Sequence, residues 1–179
     1  KKIAIASLIA LAAGFASAAD YVSLDVDHVK DRSTKQTSTA EYVRAGKEIG
    51  GIQFGLQQRT AQIVNNGGTL SSTELTAGKN IGGITPYVGA GHDNGLNGNS
   101  PYNYGLVGAT TGAKIGPGFV YTGVKTRVAR ENSSDPKQTV GWAGYSMPVA
   151  KAVSLNLGLS RSGGDIKERG TSVGLSFGF

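Results

Sequence analysis

The chain of 179 residues has no cysteine, one methionine, one tryptophan and five prolines. Without cysteine there is neither a disulfide staple nor a thiolate zinc site. The sequence also lacks the repeated apolar runs of about 20 residues that a multi-span helical membrane protein needs. Its 28 glycines follow no three-residue period, which excludes a collagen-like chain. The net charge is +6, but the basic residues are scattered singly, with no dense run and no platform of stacking aromatics. No nucleic-acid partner is expected from that pattern. Lys47, Lys79 and Lys114 are followed by Glu, Asn and Ile, so no Gly-Lys-Ser/Thr phosphate loop exists. Gly89-Ala90-Gly91 lacks the rest of a dinucleotide fingerprint. No cofactor and no metal site is expected.

What the sequence does contain begins with a targeting pattern. Lys1 and Lys2 precede an apolar stretch from Ile3 to Phe15, and Ala16-Ser17-Ala18 is a small-x-small cleavage signature. This predicts a signal peptide over 1–18 and a mature domain over 19–179. Sixteen positive and 12 negative residues then leave the domain at +4. The apolar run is too short for a comfortable helical span. An exported chain can still enter a membrane through strands, which need only about 9–11 residues and one apolar face.

Alternation of period two supplies such strands. Thr171, Val173, Leu175, Phe177 and Phe179 alternate with Ser172, Gly174, Ser176 and Gly178. Val153, Leu155, Leu157 and Leu159 alternate with Ser154, Asn156, Gly158 and Ser160. Successive side chains of a strand point to opposite faces, so each segment is a two-faced ribbon. Val22, Leu24 and Val26 oppose Ser23, Asp25 and Asp27, while Ile52, Phe54 and Leu56 oppose Gln53, Gly55 and Gln57. The segments near 84–91 and 139–147 carry Gly and aromatics on both faces and are ambiguous.

A longer repeat is superposed. Ala45-Gly46-Lys47-Glu48-Ile49-Gly50-Gly51 recurs as Ala77-Gly78-Lys79-Asn80-Ile81-Gly82-Gly83, and more weakly at 112–117. A period of about 32 residues fits two strands, a tight turn and a longer loop. Five such hairpins fill the 161 residues after position 18, giving ten strands; eight is the alternative if the ambiguous segments do not span. Tight turns are expected at 48–51, 80–83, 114–117 and 147–151, and longer polar links at 30–39, 64–72, 92–101, 130–138 and 162–168. Short turns on one rim and longer loops on the other fit a closed, antiparallel, up-and-down transmembrane β-barrel with its turns in the periplasm. Eight of the 12 aromatics after residue 18 lie close to a tight turn or to a chain end: Tyr21, Phe54, Tyr87, Phe119, Tyr121, Tyr145, Phe177 and Phe179. An interfacial girdle is expected there.

On this pattern the chain resembles the small outer-membrane β-barrel proteins of Gram-negative bacteria, the opacity-protein and surface-antigen class. The most specific element of the resemblance is Val173-Gly174-Leu175-Ser176-Phe177-Gly178-Phe179. The resemblance implies that Leu175, Phe177 and Phe179 act as an assembly signal for the outer-membrane insertion machinery. It also implies an outer-membrane location, with outer-membrane lipid and lipopolysaccharide as surroundings. It does not specify a ligand or an oligomeric state.

If the apolar faces meet lipid, the lumen receives Asp25, Asp27, Arg44, Glu48, Gln53, Gln57, Arg59, Glu74, Lys125 and Arg127. Two readings of that interior follow: a salt-bridged plug, or a narrow porin-like channel lined by mixed charge and small residues. Catalysis has little to work with. His28 and His92 are the two imidazoles, and neither belongs to a His-x-Ser pattern. A non-enzymatic envelope protein with a structural or surface-interaction role is the expectation.

The face assignment generates a test. Leu157→Arg places a charge on the lipid face and should cost roughly 2–4 kcal/mol, whereas its neighbour Asn156→Arg should cost much less. Equilibrium unfolding of both variants in lipid vesicles measures the difference; equal losses would count against the assigned faces.

Overall fold

The computed structural model describes residues 20–63, 69–95, 101–132 and 134–179. The predicted signal peptide lies outside these residues. The described chain forms ten strands: β1 (Tyr21–Asp31), β2 (Thr37–Ile49), β3 (Ile52–Ile63), β4 (Thr69–Gly78), β5 (Ile84–Asp93), β6 (Tyr102–Ile115), β7 (Gly118–Arg130), β8 (Gln138–Ala150), β9 (Val153–Gly164) and β10 (Glu168–Gly178). Each strand pairs antiparallel with its sequence neighbour, and β1 pairs with β10 to close the barrel. The strand count is ten, not eight.

Which face is inside follows from burial. Leu159 is 64% exposed and Leu75 62%, whereas Asp25 is 6% exposed and Glu74 7%. Val26, Val88, Val124, Leu157 and Val173 share the outer face with these leucines. A water-soluble barrel would show the reverse distribution. A belt of exposed aliphatics around buried carboxylates is stable only where the outer medium is lipid. The closed sheet also pairs its backbone groups, as a hydrocarbon environment requires.

The repeat seen in the sequence marks three of the four tight turns. Gly50 and Gly51 (φ +60° and +78°) join Ile49 to Ile52, and Gly82 and Gly83 (φ +62° and +88°) join Ile81 to Ile84. Two consecutive positive φ values define the type I′ turn, whose twist matches that of the strands it joins. In the third copy Gly116 (φ +59°) is followed by Pro117, the II′ arrangement with Gly at the first central position. The fourth turn, between Ala150 and Val153, uses Ala152 at φ +60°.

The links on the opposite rim are shorter than the expected spans. The first is confined to 32–36 and the last to 165–167. Strand pairing runs on through Lys30, Ser38 and Thr39 and through Ser162 and Gly163. These residues are polar because the strand ends project past the apolar belt, so alternation fades before the ladder does.

The expected aromatic girdle is corrected by half. Phe54, Tyr145, Phe177 and Phe179 lie on the outer face, but Tyr21, Tyr87, Phe119 and Tyr121 share a face with Asp25, Asp93 and Lys125 and turn inward. Their rings lie over glycines of the adjacent strand: Tyr21 on Gly46, Tyr87 on Gly108, Phe119 on Gly112 and Tyr121 on Gly144. Trp142 covers Gly123 and Tyr104 covers Gly91 in the same way. Glycine leaves a gap on the sheet surface, and a cross-strand ring fills it. This pairing explains why the two ambiguous segments carry aromatics and glycines together.

These joints can be tested by overpacking one. A Cβ on Gly108 would lie 2.4 Å from the Tyr87 ring and 2.6 Å from the Val124 carbonyl oxygen, whereas a Cβ on Gly163 meets nothing within 4 Å. Gly108→Ala should therefore lose about 1–3 kcal/mol, with Gly163→Ala close to wild type, in urea titrations of vesicle-folded protein. A neutral Gly108→Ala would show that the Tyr87 ring is free to move away.

Candidate functional site

The inward faces of β1–β7 place most of the chain's strand charges in one bore. Ser23 Oγ donates to Asp25 Oδ2 at 3.1 Å, and Arg44 Nη1 donates to the same oxygen. Arg44 Nε donates to Gln57 Oε1 at 2.9 Å, and Gln57 Nε2 to Glu74 Oε2 at 3.3 Å. Tyr104 OH donates to Glu74 Oε1 at 2.9 Å, and Lys125 Nζ forms an ion pair with Glu74 Oε2. The polar chain therefore runs Asp25, Arg44, Gln57, Glu74 across four consecutive strands. It then jumps from β4 to β7 through Lys125.

Two further groups reinforce it. Arg127 pairs with Asp93 at 3.3 Å and donates to the Tyr102 hydroxyl, and its guanidinium stacks 4.1 Å from the Tyr104 ring centre. Arg59 on β3 meets Glu168 on β10 at 3.7 Å. Arg44 also sits 4.5 Å from the centre of the Tyr42 ring. Among the described residues, four acid–base pairs thus tie strands together, and two of them, Glu74–Lys125 and Arg59–Glu168, join strands three apart around the wall. Burial makes the pairing obligatory, because an uncompensated charge at low dielectric is costly.

Apolar clusters occupy the same bore. Val29, Ala40 and Ala61 are buried against Tyr42 and Leu70, and Tyr102, Tyr104 and Leu106 are buried against Tyr87. The remaining wall differs. Between Glu168 and the turn rim, β9 and β10 face inward with Ser154, Asn156, Gly158, Ser160, Gly170, Ser172 and Gly174, a small and uncharged surface. Asp27 is buried beside this wall, in register with Ser172, and its Oδ1, with Arg59 Nε, is a buried polar atom with no hydrogen-bond partner among the described residues.

The candidate residues divide by depth. Asp25, Arg44, Gln57, Glu74, Lys125 and Arg127 join the continuous network, and Arg59 reaches Glu168. Glu48 and Gln53 are register partners at the turn rim and are exposed. Asp93, Glu168, Tyr42, Tyr102 and Tyr104 are network members that the sequence reading did not select. Asp93 and Glu168 fell in spans assigned to links, although each continues the inward parity of its strand. Both histidines lie on the outer face, where His92 Nδ1 is 2.8 Å from Asn103 Oδ1. Among the described residues, no three His, Asp or Glu side chains converge as a metal site.

No known family's sequence model matches the chain, and no curated protein matches it. Solved structures do match in shape. The β-domain of the Bordetella autotransporter Brka is 11% identical, with a TM-score of 0.52, over 89% of this chain and 98% of that one. The translocator domain of autotransporter NalP from Neisseria meningitidis is also 11% identical with a TM-score of 0.52, over 99% and 95%. Neisserial surface protein A is 16% identical over 89% and 96%, with a TM-score of 0.48. At these identities the first two establish the fold alone, that of an outer-membrane β-barrel.

The Glu74–Lys125 pair yields a stability test. Glu74→Leu alone strands a buried ammonium and should cost about 3 kcal/mol, whereas Glu74→Leu combined with Lys125→Met should recover most of it. A double-mutant cycle by denaturant unfolding in lipid reads this directly. Additive losses would mean that the two groups do not sense each other.

Proposed function

We propose that this outer-membrane β-barrel is a non-enzymatic envelope protein whose bore is filled by its own side chains, and that it serves a structural or surface-interaction role. The observation that carries the reading is the pairing across the interior. Lys125 reaches Glu74 and Arg59 reaches Glu168 from strands that are not neighbours, and apolar clusters flank both pairs. Side chains that meet across the bore occupy the space a diffusing solute would need. What remains available to partners is the outer belt and the loop rim.

Export and assembly complete the proposal. Residues 1–18 act as the export signal that is then removed. Leu175, Phe177 and Phe179 act as the signal read by the insertion machinery. Leu175 and Phe177 share the outer face of β10 and Phe179 follows its last residue; β10 is the strand that must meet β1 to close the sheet. Lipid and lipopolysaccharide of the outer membrane are the surroundings of the finished barrel.

The small, uncharged inner wall of β9 and β10 favours a second reading, a narrow pore for small solutes running along that side. Planar-bilayer recording with the purified protein separates the two. The filled-bore reading expects no unit conductance steps in 1 M KCl. Stable, reproducible steps would replace it with the pore.

A further inference from the structure

The strongest charge on the outside of the barrel is concentrated on one flank. The outward positions nearest the loop rim are Lys30 on β1, Arg169 on β10 and Arg161 on β9. Lys30 lies directly opposite Arg169, and Arg169 directly opposite Arg161. Near their loop ends β3, β4, β6 and β8 present Gln62, Ser71, Asn103 and Thr139 to the outside instead. Like charges directly opposite each other on a sheet destabilise it. None of the three makes an ion pair among the described residues.

The adjoining loops add cations to the same place. Arg32, Lys35 and Lys167 line, with Lys30 and Arg169, a cleft of about 520 Å³. The backbone N–H of Arg32 donates to the Lys167 carbonyl at 2.7 Å, which ties the two loops together. The acid of the cleft, Asp31, is already engaged, accepting the N–H groups of Ser33 and Thr34 at 2.7 Å each. Lys35 holds a left-handed backbone at φ +63°, and its Nζ donates to the Arg32 carbonyl at 2.8 Å. A non-glycine residue rarely holds that conformation unless its surroundings impose it.

Depth identifies what this surface meets. Arg161 lies two residues beyond the exposed Leu159, and Arg169 four residues beyond the exposed Val173. At about 3.3 Å per residue along strands tilted by roughly 35–45°, these cations stand about 5–10 Å above the apolar belt, the level of headgroups rather than of acyl chains or bulk solvent. They point sideways from the barrel, not over its mouth. A ligand touching both belt and cations has fatty chains below and negative charge above. Guanidinium groups bind phosphate bidentately.

We propose that the β9–β10–β1 flank, with its two adjoining loops, is a binding site for the phosphates of an outer-leaflet glycolipid. This rests on the outer-membrane placement above, with the longer links facing outward. The bound phosphates relieve the repulsion within the Lys30–Arg169–Arg161 row, and the glycolipid in turn anchors one side of the barrel.

The test uses folded, full-length protein in detergent micelles, with diphosphoryl lipid A as the probe and native mass spectrometry as the readout. The triple variant Lys30→Gln, Arg161→Gln, Arg169→Gln should bind it roughly tenfold or more weakly. Substitution of Lys47 and Lys79 by Gln at the turn rim should leave binding unchanged. Wild-type affinity in the triple variant would overturn the site. So would equal affinity for dephosphorylated lipid A, and so would displacement by micromolar inorganic phosphate, which would indicate a soluble anion. Heat-modifiable migration on a gel scores barrel closure separately. Wild type without the shift refutes the barrel reading, whereas a normal shift with unaltered lipid A binding refutes this site alone.

Discussion

Hydrocarbon offers no partner to a backbone amide, and this one constraint organises the molecule. A sheet in lipid must pair its edges, so β1 must find β10. Closure then divides every strand into a face that sees acyl chains and a face that sees the bore. Within the span of the belt most aliphatic residues go outward, and most of the charges of β1–β7 go inward. The inner radius is small, so the polar side chains of ten strands are forced into contact. Pairing between Asp25 and Arg44, or between Glu74 and Lys125, is a consequence of that crowding as much as a feature of the sequence.

The same crowding accounts for the aromatics. A narrow, curved sheet has little room for a ring beside another large side chain. Rings lie flat on glycine instead, as Tyr87 does on Gly108 and Trp142 on Gly123. Glycine thus has two unrelated uses here. In the turns Gly50–Gly51 and Gly82–Gly83 it supplies positive φ. Inside the strands it supplies the absence of a Cβ. A count of 28 glycines merges these uses, and only the register separates them.

The architecture was legible in the sequence because two periodicities report it independently. Strict alternation in 153–160 and 171–179 gave the faces, and the Ala-Gly-Lys-x-Ile-Gly-Gly repeat gave the turns and hence the ten strands. Where each was weak, the reading was weak. Beyond the belt, outward residues such as Thr39 and Arg161 are as polar as inward ones, so the pattern does not distinguish strand ends from links and does not place Asp93 and Glu168 in the bore. Direction of the rings was not legible at all. A Tyr near a turn has equal reason to sit at the membrane interface or over a cross-strand glycine, and the choice depends on a neighbour some 20–30 residues away. Which acid meets which base was equally hidden, since Glu74–Lys125 joins positions 51 apart.

Charge is treated differently on the two sides of the wall, and the difference has physical content. In the bore Arg44, Arg59, Lys125 and Arg127 each have an acid within ion-pair distance, as a medium of low dielectric demands. On the outer flank Lys30, Arg161 and Arg169 stand in a row of one sign. Water and counterions make such a row tolerable, because screening acts over about 8–10 Å at physiological salt. Tolerable is not the same as favourable. An arrangement that is neutral to folding but adverse in its own electrostatics persists most economically where an external anion completes it. The inner network is therefore evidence about folding, and the outer row is evidence about surroundings. The same register places both, one on each side of the wall.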